Sequence, residues 1–328
     1  MGKIKISVIG AGSWGTTLAI LLAEKKHDVV LWARRKELAD EISRARKNKQ
    51  YLGDIKLPDS IAVTNSAEVI SGSKVIVFAV PSEFLRSTAK VFSKFIESDS
   101  LVVHVIKGIE ESTGKLMSEV LDEELSKGIK IAALSGPNHA EEVSRNLPTA
   151  TVIASRNSDA AKFLCRIFET PYFKVYPHDD ITGVEICSVI KNIIAIAIGV
   201  CDGLNFGDNA KASIVTLGLS EMSHVSSKFG GKRATSFGLA GVGDLIATCY
   251  SPHSRNRFVG QMLAEGKSIN EVKKEMKGMV AEGIKNTKSV YELCKKKGIE
   301  TPLITQAYSV LYRNTDLKQA IAQLLDKV

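Results

Sequence analysis

The sequence predicts an α/β fold: a doubly wound parallel sheet with a second, all-helical C-terminal domain. Three observations predict it. Short apolar, β-branched runs alternate with helix-period segments as far as Tyr176, every periodic segment beyond Pro177 has the helical period, and a chain of 328 residues exceeds one ordinary core.

Residues 4–9 form the first strand, which runs into Gly10-Ala11-Gly12-Ser13-Trp14-Gly15 and then into an amphipathic helix over 16–23. The next strand spans 28–32. A fully buried strand at 74–80 stops at Pro81 and precedes a helical pattern over 83–95. Residues 101–105 make another strand, ending at Ile106-Lys107-Gly108. Strand 131–134 leads into Ser135-Gly136-Pro137-Asn138-His139-Ala140, and strands 149–154 and 173–176 close the series. Strands alternating with helices imply a mostly parallel sheet covered on both faces. Helices are predicted over 180–201, 209–229, 255–265, 284–297 and 317–325, so the domains are 1–178 and 179–328, with the boundary near Pro177-His178-Asp179. There is no internal repeat and no low-complexity segment.

The composition is that of a soluble globular chain: 44% hydrophobic, 24% charged, with 8 prolines. No apolar run reaches membrane-spanning length without a charge or glycine, since the longest, 186–200, carries Lys191 and Asn192. Residues 1–9 read as a strand, not a signal peptide, and the cytoplasm is the expected location. Cys165, Cys187, Cys201, Cys249 and Cys294 are scattered, with no CxxC pair and no histidine at zinc spacing, so they read as reduced core residues and no metal site is expected. The net charge is +8, but its basic clusters lack interleaved aromatics. That charge could serve nucleic acid, an acidic membrane or small anionic ligands, but a solvated surface explains most of the clusters better than nucleic acid.

The Gly10-to-Gly15 turn has a mechanical reading. Gly10 permits a tight reversal, Gly12 lets a pyrophosphate approach the backbone, and Gly15 allows close packing of helix on strand. The N-terminus of the helix that follows presents free N–H groups and a partial positive charge to the phosphates; the alternative is a strand-to-helix turn with no ligand. The strand before and the helix after it supply the context that makes GxGxxG a Rossmann-like dinucleotide site. The second strand then ends in Ala33-Arg34-Arg35 where an acidic residue would bind the ribose 2′-hydroxyl. Arginine cannot accept a hydrogen bond but pairs with a 2′-phosphate, which favours NADP over NAD. The alternative is that Arg34 and Arg35 begin a solvated helix.

Three constellations carry chemistry. Lys191 and Asn192 sit inside an apolar helix, where desolvation lowers an ammonium pKa toward neutrality, as a general acid/base for carbonyl and alcohol interconversion requires. A snorkelling structural lysine is the alternative. Lys107, Gly136 and Asn138 follow the C-terminal ends of strands, where doubly wound sheets bind ligands; each also suits an ordinary loop. In the stretch 238–248 glycine spacing lets the chain turn sharply and expose Asp244, while Ser254, Arg255 and Asn256 stand at a helix start and converge on an anion such as a phosphate. An N-cap at Ser254 explains the same spacing. His104 and His253 lack an acidic orienter and read as structural.

These segments resemble the bacterial type of glycerol-3-phosphate dehydrogenase [NAD(P)+] over nearly the whole chain. The resemblance rests on Gly10-Ala11-Gly12-Ser13-Trp14-Gly15-Thr16, Lys107-Gly108, Ser135-Gly136-Pro137, Val189-Ile190-Lys191-Asn192, Gly241-Val242-Gly243-Asp244-Leu245, Ser254-Arg255-Asn256-Arg257 and Val280-Ala281-Glu282-Gly283, in that order. It implies a cofactor-binding first domain and a substrate-binding second one, with Lys191 as proton donor and acceptor, oriented by Lys107 and Asp244. Lys107, Gly136, Asn138, Asp244, Ser254, Arg255 and Asn256 would line the glycerol phosphate site. Ser13, Trp14, Arg34, Tyr51, Lys107, Ala140, Arg255, Val280 and Glu282 would contact the cofactor. Asn138 stands where many relatives have Ser or Thr, and Tyr51 lies in a looser match. The resemblance further implies reduction of dihydroxyacetone phosphate to sn-glycerol 3-phosphate for glycerophospholipid synthesis, and a homodimer. Two other readings fit the same motifs: a related dehydrogenase of a hydroxy acid such as phosphogluconate or ketopantoate, and a cofactor-sensing protein without catalysis.

Overall fold

The structure, a computed structural model, describes residues 2–276 and 280–326. The chain divides into two compact units: residues 1–106 with 117–181, and residues 107–116 with 182–328.

The first unit is built on eight strands: β1 (Lys5–Ile9), β2 (Asp28–Trp32), β3 (Ala62–Thr64), β4 (Val75–Phe78), β5 (Leu101–His104), β6 (Lys130–Ser135), β7 (Thr149–Ser155) and β8 (Phe173–His178). Their order across the sheet is β3-β2-β1-β4-β5-β6-β7-β8, parallel except where β6 meets β7. Ile6 sits opposite Val29 on one side and Val75 on the other. The chain winds outward from β1 in both directions, so the strand order reverses between β1 and β4, and the C-terminal ends of those strands form the switch point. The sequence pattern passed over β3, three residues long and only partly buried, because so short an edge strand leaves no periodicity.

Helices α1 (Ser13–Glu24), α2 (Lys36–Ala45), α3 (Lys49–Leu52), α4 (Leu85–Phe92), α5 (Met117–Glu124), α6 (Ala140–Val143) and α7 (Ser158–Phe168) belong to this unit. The helix after the glycine turn is not amphipathic. Every residue of α1 from Gly15 to Ala23 is buried, as in a helix enclosed on all sides by its domain. Its Leu18, Leu21 and Leu22 join Ile6, Val8, Leu31, Phe168 and Phe173 in the core.

The second unit is helical: α8 (Ile181–Gly203), α9 (Asp208–Lys228), α10 (Asp244–Tyr250), α11 (Arg255–Ala264), α12 (Ile269–Glu275), α13 (Glu282–Lys296), α14 (Pro302–Arg313) and α15 (Leu317–Leu325). By length and composition α8 could cross a membrane, yet its apolar window is wholly buried inside the protein, which accounts for its hydrophobicity as that of a core helix. Close contact with α11 requires glycine: a Cβ on Gly260 would lie 2.0 Å from the Ile196 carbonyl oxygen, and one on Gly199 would lie 1.9 Å from that of Arg257. On α9 the buried Glu221 carboxylate accepts the backbone N–H groups of Leu303 and Ile304, at 2.8 and 2.9 Å, and so caps α14 from outside its own sequence. Burial pushes its pKa up to about 7 against the pull of those two bonds.

Residues 107–116, expected within the first domain, group with the helical unit. Ile109 and Leu116 pack into its hydrophobic core beside Val189, Ile190 and Leu293. A single boundary near Pro177 cannot describe a chain that visits the second unit for ten residues and returns.

Candidate active site

The sheet places the glycine turn at its switch point. Gly10 has φ +120°, and a Cβ there would lie 2.6 Å from the Ala79 carbonyl oxygen at the end of β4. At Gly15 a Cβ would lie 1.9 Å from the Gly10 carbonyl oxygen, so the helix can start this close to β1 only with glycine. Gly12 differs from both. A Cβ there would meet nothing within 4 Å, so the backbone of the turn borders open space. Gly12 also caps α1 without a side-chain bond, which leaves the first N–H groups of that helix for a ligand. Open space, a backbone unencumbered by side chains and an uncapped helix N-terminus together fit a dinucleotide pyrophosphate.

Around this turn Arg34 and Arg35 are exposed at the end of β2. The Arg34 guanidinium lies over the Phe84 ring, 4.6 Å from its centroid, and Arg35 donates to Gln50 Oε1 at 2.6 Å. Arg35 is also the N-cap of α2. Arg35 therefore caps a helix and Arg34 precedes it, and both are held by specific partners. Tyr51 lies in α3 and packs partly on the core. The Trp14 ring faces inward, tilted against Phe173 with centroids 6.3 Å apart, and its Nε1 is buried. Ala140 opens α6 and is buried. Gly136 and Asn138 belong to this unit too. A Cβ on Gly136 would lie 2.7 Å from Thr151 Oγ1, to which the Asn138 amide donates at 3.1 Å.

The second unit gathers a different set. Lys191 of α8 donates from Nζ to Asp244 Oδ1 and to Thr248 Oγ1, both at 2.6 Å, and Lys107 Nζ donates to Asp244 Oδ2 at 2.8 Å. Lys191 and Asp244 are 4% and 2% exposed. The glycine-rich stretch thus does not expose Asp244 as its spacing suggested. It forms a π-helical turn over Leu239–Gly243, and α10 then begins with Asp244 in the interior, where two ammonium groups converge on the carboxylate. Desolvation pulls the Lys191 pKa down to about 7; Asp244 opposes the shift and Lys107 adds to it. Burial alone would raise the Asp244 pKa, but Lys107 and Lys191 outweigh it and hold the carboxyl below its usual range. The cluster keeps its carboxylate ionised and gives up a lysine proton near neutrality.

Thr248 was missed in the sequence, although it follows Asp244 by one turn of α10 and so shares its face. Its hydroxyl donates to the Asp244 carbonyl at 2.7 Å and accepts from Lys191. Asn286 was missed as well: from α13 it donates to the Lys107 carbonyl at 2.9 Å. Asn256 donates to Asn192 Oδ1 at 2.9 Å and accepts the Gly283 N–H at 3.0 Å, so the start of α11, the middle of α8 and the start of α13 share one buried amide network. Ser254 is the N-cap, its Oγ accepting the Arg257 N–H at 3.2 Å. Arg255 is exposed beside it, Glu282 opens α13, and Val280 lies two residues earlier, half-buried.

Residues 5–161 match the family model for the NAD-dependent glycerol-3-phosphate dehydrogenase N-terminus, and residues 180–322 match that for its C-terminus. A glycerol-3-phosphate dehydrogenase [NAD(P)+] from Pelodictyon phaeoclathratiforme is 47% identical over 99% of this chain and 98% of its own. The crystal structure of glycerol-3-phosphate dehydrogenase from Coxiella burnetii superposes with a TM-score of 0.94 at 39% identity, covering 99% of both chains. A ketopantoate reductase from Ralstonia eutropha reaches a TM-score of 0.63 at 17% identity, over 98% of this chain and 99% of its own, and shares the fold alone. On these matches the chain belongs to the NAD-dependent glycerol-3-phosphate dehydrogenase family.

Proposed function

We propose that the protein reduces dihydroxyacetone phosphate to sn-glycerol 3-phosphate at the expense of NADPH or NADH, reversibly. The Lys191–Asp244–Lys107 cluster carries this reading. A buried lysine whose pKa lies near 7 is matched to exchanging a proton with an alkoxide at physiological pH. Two of the three Lys191 ammonium hydrogens go to Asp244 and Thr248, and in this reading the third serves a substrate oxygen. The bound cofactor supplies the hydride.

Asp244 holds Lys191 in place and offsets the charge of Lys107, and Lys107 keeps Asp244 ionised when Lys191 loses its proton. Arg255, with the first turn of α11, takes the phosphate; Ser254 and Asn256 shape that turn and are already engaged in bonds of their own. Gly136 and Asn138 are further substrate contacts in this reading. On the cofactor side, Gly10, Gly12, Ser13, Trp14 and Gly15 receive the pyrophosphate through their backbone, and Tyr51, Ala140, Val280 and Glu282 complete the contacts. Arg34, steadied on Phe84, and Arg35 pair with a 2′-phosphate, which supports a preference for NADP. Five free, buried cysteines accord with a reducing cytoplasm. The product is a phospholipid precursor, and the homodimer the family implies is part of the same reading.

Loss of NADPH absorbance with dihydroxyacetone phosphate, run beside phosphogluconate and ketopantoate, tests it. Turnover of dihydroxyacetone phosphate alone is expected, falling about 10³-fold in Lys191→Ala, within the usual range for a lost general acid. Turnover of either acid in its place would overturn the assignment. Undiminished turnover by Lys191→Ala would overturn the role of the lysine.

A further inference from the structure

We infer that Asn48 is a positioning residue for cofactor binding, acting through the glycine turn. Asn48 is wholly buried, and its amide nitrogen donates to the Ala11 carbonyl at 2.9 Å and to Thr16 Oγ1 at 2.8 Å. One amide group thus ties together the two limbs of the turn, the residue before Gly12 and the first turn of α1. Thr16 in addition closes the turn with its own N–H on the Gly12 carbonyl at 3.0 Å. A burial this complete and two bonds to the same loop distinguish Asn48 from an ordinary N-cap. It caps α3 only through its backbone, whose carbonyl accepts the N–H groups of Tyr51 and Leu52.

The segment that carries Asn48 is itself braced. Arg46, at φ +51°, receives the Leu57 N–H on its carbonyl at 2.8 Å and donates from its guanidinium to the carbonyls of Pro58 and Ile61. Gln50 accepts from Arg35 at the end of β2. Asn48 therefore fixes the turn to a closed loop that also bears Tyr51 and steadies Arg35. An anion site made of backbone N–H groups binds well only if those groups already point at the ligand, because ordering them on binding costs affinity. Among the described residues, no other hydrogen bond reaches the Ala11 carbonyl. This inference rests on the first unit being a dinucleotide site, and it needs no assumption about the substrate.

The test measures Kd for NADPH and NADH by cofactor fluorescence, with KM for dihydroxyacetone phosphate, kcat and thermal midpoint, in wild type, Asn48→Ala and Thr16→Val. Asn48→Ala is expected to raise both cofactor Kd values about tenfold and in parallel, because the turn receives the part common to the two cofactors. Thr16→Val, which removes one acceptor and leaves Asn48 in place, is expected to raise them about threefold and carries the test if Asn48→Ala does not fold. In both variants kcat at saturating cofactor and KM for the second substrate stay within twofold. A lowered midpoint with cofactor Kd values within twofold of wild type would overturn the inference and leave Asn48 a packing residue. Wild-type protein that binds neither cofactor would overturn it together with the family reading of the turn, whereas cofactor binding without turnover of dihydroxyacetone phosphate would overturn only the substrate assignment.

Discussion

The glycine turn of the first unit and the lysine cluster of the second handle charge in opposite ways. At the turn no side-chain charge lies on the loop itself: the Gly12 backbone borders open space, α1 starts uncapped, and partial charges on N–H groups do the work. In the cluster two ammonium groups each lie within 2.8 Å of one carboxylate, and two of the three groups are almost wholly out of water. Partial charges hold a ligand without changing state. Full charges in a low dielectric shift one another's protonation, and this makes a proton transfer possible near neutral pH. In the proposed function, binding and chemistry are thus served by different physics in different parts of the chain.

Asp244→Asn breaks the cluster most severely. It leaves two ammonium groups facing a neutral amide, so the Lys191 pKa falls further and the protonated donor becomes scarce at pH 7. Removing one partner of a buried charge pair costs about 3–5 kcal/mol of stability. The expected outcome is kcat down at least about 100-fold with NADPH affinity unchanged, as steady-state kinetics, cofactor fluorescence and denaturant unfolding would show.

Gly12→Val probes the other region. Its backbone angles are open to any residue and its Cβ enters free space, so thermal unfolding should be nearly unchanged. The added side chain occupies the space a pyrophosphate needs, so NADPH and NADH affinity should both drop by about 30-fold, a loss of roughly 2 kcal/mol in binding. A large fall in stability with cofactor affinity intact would contradict the reading of the turn.

Arg34→Ala is the gentlest of the three. It removes one charged partner of a 2′-phosphate and leaves the turn alone, so NADPH affinity should fall about tenfold while NADH affinity holds. Equal losses for both cofactors would show that Arg34 supports the loop without reading the phosphate.

The two regions also differ in how far the sequence discloses them. The turn lies within six consecutive residues, and the glycines that matter are dictated by local backbone geometry, so Gly10, Gly12 and Gly15 could be read directly. Asn48, more than thirty residues away, could not, because a lone buried asparagine has no periodic or spacing signal. The cluster draws on residues 107, 191, 244, 248 and 286. Lys191 was visible as a charge inside an apolar helix, but its pairing with Asp244 depends on a π-helical turn that turns the aspartate inward where glycine spacing had suggested exposure. Thr248 and Asn286 are ordinary helix residues until the fold brings them to Lys191 and to the Lys107 carbonyl. The sheet was legible because seven of its eight strands are mostly apolar or β-branched runs of four to seven residues bounded by turn residues. The short strand β3 and the attachment of residues 107–116 to the helical unit come from tertiary packing and leave no local trace.

The central claim is that Lys191 exchanges the substrate proton from a pKa near 7. Its folded pKa lies about 7, below the ordinary lysine value of 10.5, so the protonated donor is present below neutrality and is lost as pH rises. The most direct test is the pH dependence of kcat for dihydroxyacetone phosphate reduction between pH 5.5 and 9.5, with glycerol 3-phosphate oxidation measured in parallel. Reduction should fall about tenfold per pH unit above roughly pH 7, and oxidation should rise through the same region, since it needs the neutral amine. A profile flat across this range in both directions would contradict the account.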